Sequence, residues 1–276
     1  FVVIDDARSA LLVPTLGVLL PHPEKLCLFG DKFGLKPQTI GRKSVEEGLG
    51  ESLFDVLNEA DVPTIDLSTQ YRMHPSLWNF SNSYLYELTV KSATSTTSYP
   101  ALPGVNWPNP NFRLTLFEIQ GQEIQKGTEF INQEEATVLS LLVGKMITDS
   151  GNQFHNIGVI TPYQSQRDLI RERIEKIPTV LKKMREEEVT QRELLVDTLD
   201  NFQGAERDTI IVSTVHNNRD GFLGPMNDID ALNLISSRAR YGMVVIANTK
   251  TLSRNKPWSQ WLKFVENNNL ILDGKQ

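Results

Sequence analysis

Ile157-Gly158-Val159-Ile160 is a short apolar run set between two amphipathic patterns. Upstream, Leu139, Leu142, Val143, Met146 and Ile147 recur at helical spacing, with Gly151 as a fitting stop. Downstream, Leu169, Ile170, Ile174 and Ile177 lie on one side of a helix predicted from about Ser165 to Ile177. A four-residue apolar run between helices is a buried strand rather than a helical piece. Thr209-Ile210-Ile211-Val212-Ser213-Thr214-Val215 and Met243-Val244-Val245-Ile246 repeat the signature, and Phe112, Leu114 and Leu116 alternate with Arg113 and Thr115. Short strands alternating with helices predict an α/β fold, a parallel sheet covered by helices.

Two further strands are predicted at Phe1-Val2-Val3-Ile4 and Leu26-Cys27-Leu28-Phe29. Both read as buried. Two strands and one crossover cannot stand alone. Residues 1–60 are therefore expected to be the remnant of a domain whose beginning is missing, and 64–276 a second, more complete domain. Residues 91–111, rich in Ser, Thr, Pro and Asn, predict a surface loop. The charged stretch 179–193 predicts a solvated helical face or insertion.

The chain has 276 residues, with 39% hydrophobic and 22% charged residues, which is ordinary globular usage. No apolar run approaches the ~20 residues that cross a bilayer. Cys27 is the one cysteine, so no disulfide framework exists, and it is expected to be a buried thiol. An intracellular protein of nucleus or cytoplasm, monomeric and without a membrane, is the expectation. The 28 basic and 34 acidic residues give a net charge of −6, which argues against the chain binding polyanions as a wholesale polycation but not against a local basic groove.

Several segments could carry chemistry. Asp5-Asp6 and Asp31 end the first two strands, where α/β ligand sites occur and where a carboxylate can hold the Mg²⁺ of a nucleotide. Gln70-Tyr71-Arg72-Met73-His74-Pro75 offers a ring for stacking and a guanidinium for phosphate, ahead of a helix that Pro75 can open. Phe202-Gln203-Gly204-Ala205-Glu206-Arg207-Asp208 and Ser236-Ser237-Arg238-Ala239-Arg240 each precede a core strand. Each also has a plain reading as a turn, a helix start or a surface ion pair. No phosphate-loop pattern, Cys/His metal cluster or serine nucleophile elbow is present.

In order along the chain, four segments resemble superfamily 1 nucleic-acid helicases, nearest the nonsense-mediated-decay and senataxin-like group. They are Gln70 to Pro75, Gly158 to Tyr163, Val196-Asp197-Thr198 through Asp208, and Leu232-Asn233 through Arg240. The resemblance implies a RecA-like P-loop NTPase fold. In that family ATP lies between two RecA-like domains and a single strand of RNA or DNA runs across both. By resemblance, 64–276 is the second domain and 1–60 the end of the first. Asp5 and Asp6 would be catalytic, Asp5 on the Mg²⁺ of the nucleotide. Arg72 and Arg238 would address the γ-phosphate, Arg238 as arginine finger. Gln70, Tyr71, Asp31, Gln203, Gly204 and Glu206 would line the ATP site. Thr161, Pro162, Tyr163 and Thr198 would lie on the strand-binding face. Protein partners would be further ligands.

The departures from the family cluster. Its phosphate loop is absent. Asp6 stands where the family has a glutamate that helps activate water. Gly34 replaces the γ-phosphate-sensing glutamine, Ser236 and Ser237 replace leucine and threonine, and His216 stands where arginine is common. The expectation is the C-terminal part of an ATP-dependent helicase that does not hydrolyse ATP alone. The alternative is a degenerate helicase-like domain acting as a nucleic-acid- or protein-binding module.

Overall fold

The computed structural model describes residues 1–37, 43, 47–60, 62–93, 95, 104–148, 153–186 and 194–273. Gly151, Glu187, Glu188 and much of the expected 91–111 loop lie outside them. The chain forms two compact units, Phe1–Leu67 and Ser68–Gln276.

In the first unit β1 (Val2–Ile4) pairs in parallel with β2 (Leu26–Leu28), Val2 opposite Leu26. The crossover carries α1 (Leu12–Leu19), which the Pro-punctuated sequence did not reveal. Helix α2 (Leu53–Glu59) starts at Ser52, whose hydroxyl accepts from the Asp55 amide at 3.0 Å. Asp55 in turn holds Arg8, Nε to Oδ1 at 3.0 Å. The two strands are not buried as expected. Val3 and Phe29 are exposed and Cys27 is half-buried, because among the described residues only two strands pair here and neither is flanked on both edges.

The second unit opens with β3 (Thr69–Gln70), α3 (Pro75–Tyr84) and β4 (Lys91–Ser92). It continues through β5 (Leu114–Glu118), the hairpin of β6 (Glu123–Lys126) and β7 (Glu129–Asn132), and α4 (Gln133–Thr148). There follow β8 (Ile157–Thr161), α5 (Gln164–Glu175), α6 (Pro178–Glu186), β9 (Leu195–Thr198) and β10 (Arg207–Ser213). The last elements are α7 (Ile229–Ser236), β11 (Ala239–Ala247), the single turn α8 (Thr249–Leu252), α9 (Lys256–Asn267) and β12 (Ile271–Asp273).

Six strands form one parallel sheet in the order β12-β5-β11-β10-β8-β9. The α/β class and the parallel sheet read from sequence are what the chain adopts. Alternate residues of the central strands go to opposite faces, and both sets are buried. Val159, Ile211 and Val244 join one cluster with Leu139, Val143 and Ile170 of α4 and α5. Ile160, Ile210 and Val245 are buried on the other side. Burial on both faces explains why these strands read as continuous apolar runs. Among the described residues, no helix is long and apolar enough to cross a membrane.

Candidate nucleotide and strand sites

The N-terminal ends of β10 and β11 carry the arginine cluster. A tight turn leads into β10, with the Ala205 amide on the Phe202 carbonyl at 3.0 Å and Phe202 fully buried as its anchor. Gly204 sits at φ +76°, which a side chain would strain. Helix α7 delivers Arg238. Its N-cap, Asp228, accepts from the Ala231 amide at 2.9 Å. At its C-terminus Arg238 Nε donates to the Leu234 carbonyl at 3.2 Å, a favourable place for a cation. The Arg238 guanidinium also donates to Ser237 Oγ at 2.8 Å and to the Ala205 carbonyl at 3.3 Å. The Arg207 amide on the Arg238 carbonyl, 3.2 Å, joins the two loops just before the strands pair.

The 70–75 segment docks on the same place. Gln70 spends its amide on its own loop: Oε1 accepts from the Arg72 and Met73 amides at 3.0 and 2.8 Å, and Nε2 donates to the Met73 carbonyl and to Ser92. His74 caps α3 by accepting from the Ser76 amide at 3.2 Å, and its own amide donates to the Arg240 carbonyl at 2.8 Å. Burial, reinforced by Arg113, pulls the His74 pKa down to about 4, so the imidazole is neutral and structural. Arg72 donates to the Ser237 carbonyl at 3.1 Å and pairs with Glu206. Arg240 lies 3.9 Å from Glu206 and 3.6 Å from Asp208. Burial nevertheless raises the Asp208 pKa, with Arg240 opposing. Tyr71 is 75% exposed beside them. The structure thus brings Arg72, Glu206 and Arg238 together around Ser237 and Ala205, with Gln203 and Gly204 in the adjoining turn.

Thr161 and Thr198 stand at the opposite, C-terminal edge, directly paired across β8 and β9. Thr161 Oγ1 is buried with no hydrogen-bond partner among the described residues. Pro162 and Tyr163 are buried as well. The Tyr163 hydroxyl is 2.8 Å from His216 Nε2, whose Nδ1 is 2.8 Å from a Glu123 oxygen. Burial, with Glu123 and Glu129 nearby, pushes the Tyr163 pKa up to about 12.

Asp5 and Asp6 are exposed after β1, Asp6 at φ +53°. Asp31 accepts from the Phe33 amide at 3.0 Å. These three belong to the first unit and the other candidates to the second.

Sequence reasoning missed Ser237 as the common anchor of two arginines, and it missed Glu123 and Glu135. Glu134-Glu135 at a helix start reads as a dipole-favoured solvated pair. Instead Glu135 is buried, with Oε2 accepting from Ser213 Oγ at 2.6 Å and from the Val215 amide at 2.9 Å. This bond holds Val215 at φ +70°, a strained value for a β-branched residue. Burial raises the Glu135 pKa to about 7 against these hydrogen bonds. The unfolded carboxyl ionises first as pH rises, so the native state binds the extra proton between its ordinary value and about 7. Stability from this group is present at low pH and lost as pH rises through that window, at up to about 1.4 kcal/mol per pH unit. Glu135→Gln should flatten the dependence of unfolding free energy on pH between 5 and 7. An unchanged slope in denaturant titrations would contradict the burial argument.

The family described as AAA domain matches residues 49–250. "Regulator of nonsense transcripts 1" of Dictyostelium discoideum is 32% identical over 275 residues, 99% of this chain and 20% of that protein. "ATP-dependent helicase NAM7" of Saccharomyces cerevisiae is 30% identical over 99% of this chain and 28% of its own length. "Probable helicase senataxin" of Homo sapiens is 29% identical over 98% of this chain and 10% of its own length. The chain therefore spans well under a third of these relatives. With its helix-flanked parallel sheet of RecA-like type, it belongs to the superfamily 1 helicases of the nonsense-mediated-decay and senataxin group and represents their C-terminal helicase domain.

Proposed function

We propose that residues 68–276 supply the arginine side of an ATP site and part of a single-strand track. The observation that carries this is the convergence of Arg72 and Arg238 on Ser237, with Glu206 pairing Arg72. Two guanidiniums anchored on one residue are preorganised for a phosphate charge that develops during transfer, and positioning with electrostatics supplies most phosphoryl-transfer catalysis. Arg72 would exchange its pairing with Glu206 for a γ-phosphate oxygen. Tyr71, being exposed, is available for stacking on the base. Thr161, Pro162, Tyr163 and Thr198, at the other edge of the sheet, would shape the strand path, with single-stranded RNA or DNA as partner.

Among the described residues no group of three or more His, Cys, Asp or Glu side chains could cage a metal by itself. Asp5 fits one role: an exposed strand-end carboxylate of the oxygen type that Mg²⁺ takes, the other ligands coming from phosphates and water. Bound there, Mg²⁺ would neutralise charge on the phosphates.

The non-catalytic reading has its own support. Asp6 is a methylene shorter than the family's glutamate, and Gly34 offers no side-chain amide to a γ-phosphate. The experiment is phosphate release. These 276 residues alone should show none. Preceded in one polypeptide by a phosphate-loop segment, they should show release stimulated by single strands. No stimulation there would favour the binding module and overturn the catalytic reading.

A further inference from the structure

Tyr163 presents an enclosed ring, only 7% exposed. The exposed member of the same aromatic cluster is Phe222, at 50%. Its ring meets His216 edge-on, centroids 5.3 Å apart, and His216 in turn meets Tyr163 at 5.5 Å. The loop that carries Phe222 is tightly held. Asn218 Oδ1 accepts from the Asp220 and Phe222 amides at 3.2 and 3.1 Å, and its Nδ2 donates to the Phe222 carbonyl at 2.8 Å. Asn255 donates to the Gly221 carbonyl at 3.2 Å. Gly221, at φ +72°, lies so close that a Cβ would come within 2.6 Å of the Arg254 backbone. Gly224, at φ +56°, leaves the space that the Tyr163 hydroxyl fills.

Exposed cations lie on this loop and on the segments joined to it. Arg219 lies in the loop, and Arg254 donates to its carbonyl. Lys250 stands on α8, beside Thr251, whose hydroxyl accepts from the Asn218 amide at 3.0 Å. Of the nearby acids, Glu123 is committed to His216 and to the Asn217 amide, and Glu118 accepts from Thr249. Asp220 remains the one loop carboxylate, and it is exposed.

We propose that the loop 217–223, with Arg254 and Lys250, is a contact platform for single-stranded nucleic acid, in which Phe222 stacks on a base and Arg219, Lys250 and Arg254 meet phosphates. A rigid aromatic flanked by cations is how strands are held without sequence preference. The platform adjoins Tyr163 through His216, so it extends the track inferred above and rests on that reading. The negative net charge is no obstacle, since recognition depends on where charge sits.

The test is fluorescence anisotropy with labelled oligouridylate and oligothymidylate on the whole chain. Phe222→Ala should weaken binding roughly tenfold, and Phe222→Trp should restore it. Phe222→Leu keeps apolar packing on His216 but has no ring, and should behave as the alanine variant. Arg219→Gln and Lys250→Gln should each reduce the slope of log affinity against log salt by roughly 0.7. Binding by the parent chain with all four effects absent, or Phe222→Leu binding like the parent, overturns this platform while leaving the track. No binding by the parent chain even at low salt overturns both, and leaves a protein partner as the occupant of this face.

Discussion

Arg238→Ala is expected to lower the rate of ATP hydrolysis by ~1,000-fold or more when the chain follows a phosphate-loop segment, the loss typical of an arginine finger. The reason is local. Arg238 is placed by the end of α7, by the Ser237 hydroxyl and by the Ala205 carbonyl, all of them side-chain contacts outside the strand pairing of the sheet. Truncation should therefore remove charge from the site and leave the unfolding midpoint almost unchanged. Arg238→Lys should rescue little, because one ammonium cannot reproduce a planar fork held at several points. Phosphate release at saturating ATP separates the two effects from binding. A loss below tenfold would mean that Arg238 faces no transferring phosphate.

Trp258→Ala should be the most damaging single change to stability. Trp258 is fully buried on α9, packs edge-on against Trp261 at 5.5 Å, and donates from Nε1 to the Met226 carbonyl at 2.7 Å. Its removal leaves a large cavity and an unpaired buried carbonyl, a cost of about 3–5 kcal/mol from the cavity alone. Trp258→Phe should cost clearly less, since most of the volume is kept and only the hydrogen bond is lost. Helix α9 begins at Asn255, whose side chain donates to the Gly221 and Asn227 carbonyls at 3.2 and 3.0 Å. The same substitution should therefore loosen the loop 217–223 and raise its amide exchange before global unfolding. Chemical denaturation checks the first effect; a loss under about 1 kcal/mol would contradict the packing account.

Much of the sheet was legible because its central strands are buried on both faces. Such strands announce themselves as apolar runs, as at Ile157 to Ile160 and Thr209 to Val215. The elements missed have weaker local signals. Leu195–Thr198 carries Asp197 within an edge strand, and the carboxylate is tied down by Asn201, the Thr198 amide and Arg167, which together lower its pKa against burial. The β6–β7 hairpin reads as a polar stretch, Glu123 to Asn132, because its register depends on tertiary partners. Its Glu129 caps α5 from a distance, accepting from the Ser165 amide at 2.8 Å, and is held below its ordinary pKa by Ser165 first. No local pattern encodes such a cap.

The candidate site was legible only in part, for a related reason. Arg72 stood out as a guanidinium just ahead of a helix start, and Arg238 as one just ahead of a core strand. That Ser237 would hold both could not be read from a serine preceding an arginine, because its carbonyl and its hydroxyl face different partners. Glu135 was hidden by its resemblance to an ordinary acidic helix start. The strain at Val215 that it supports is visible only in the folded backbone.

The central claim is that Arg72 and Arg238 act on one phosphate. A double-mutant cycle on ATP turnover measures it directly, using Arg72→Ala, Arg238→Ala and both together behind the same phosphate-loop segment. Two arginines acting as a unit predict that the double variant is scarcely slower than the worse single one. Losses that multiply independently would contradict the account.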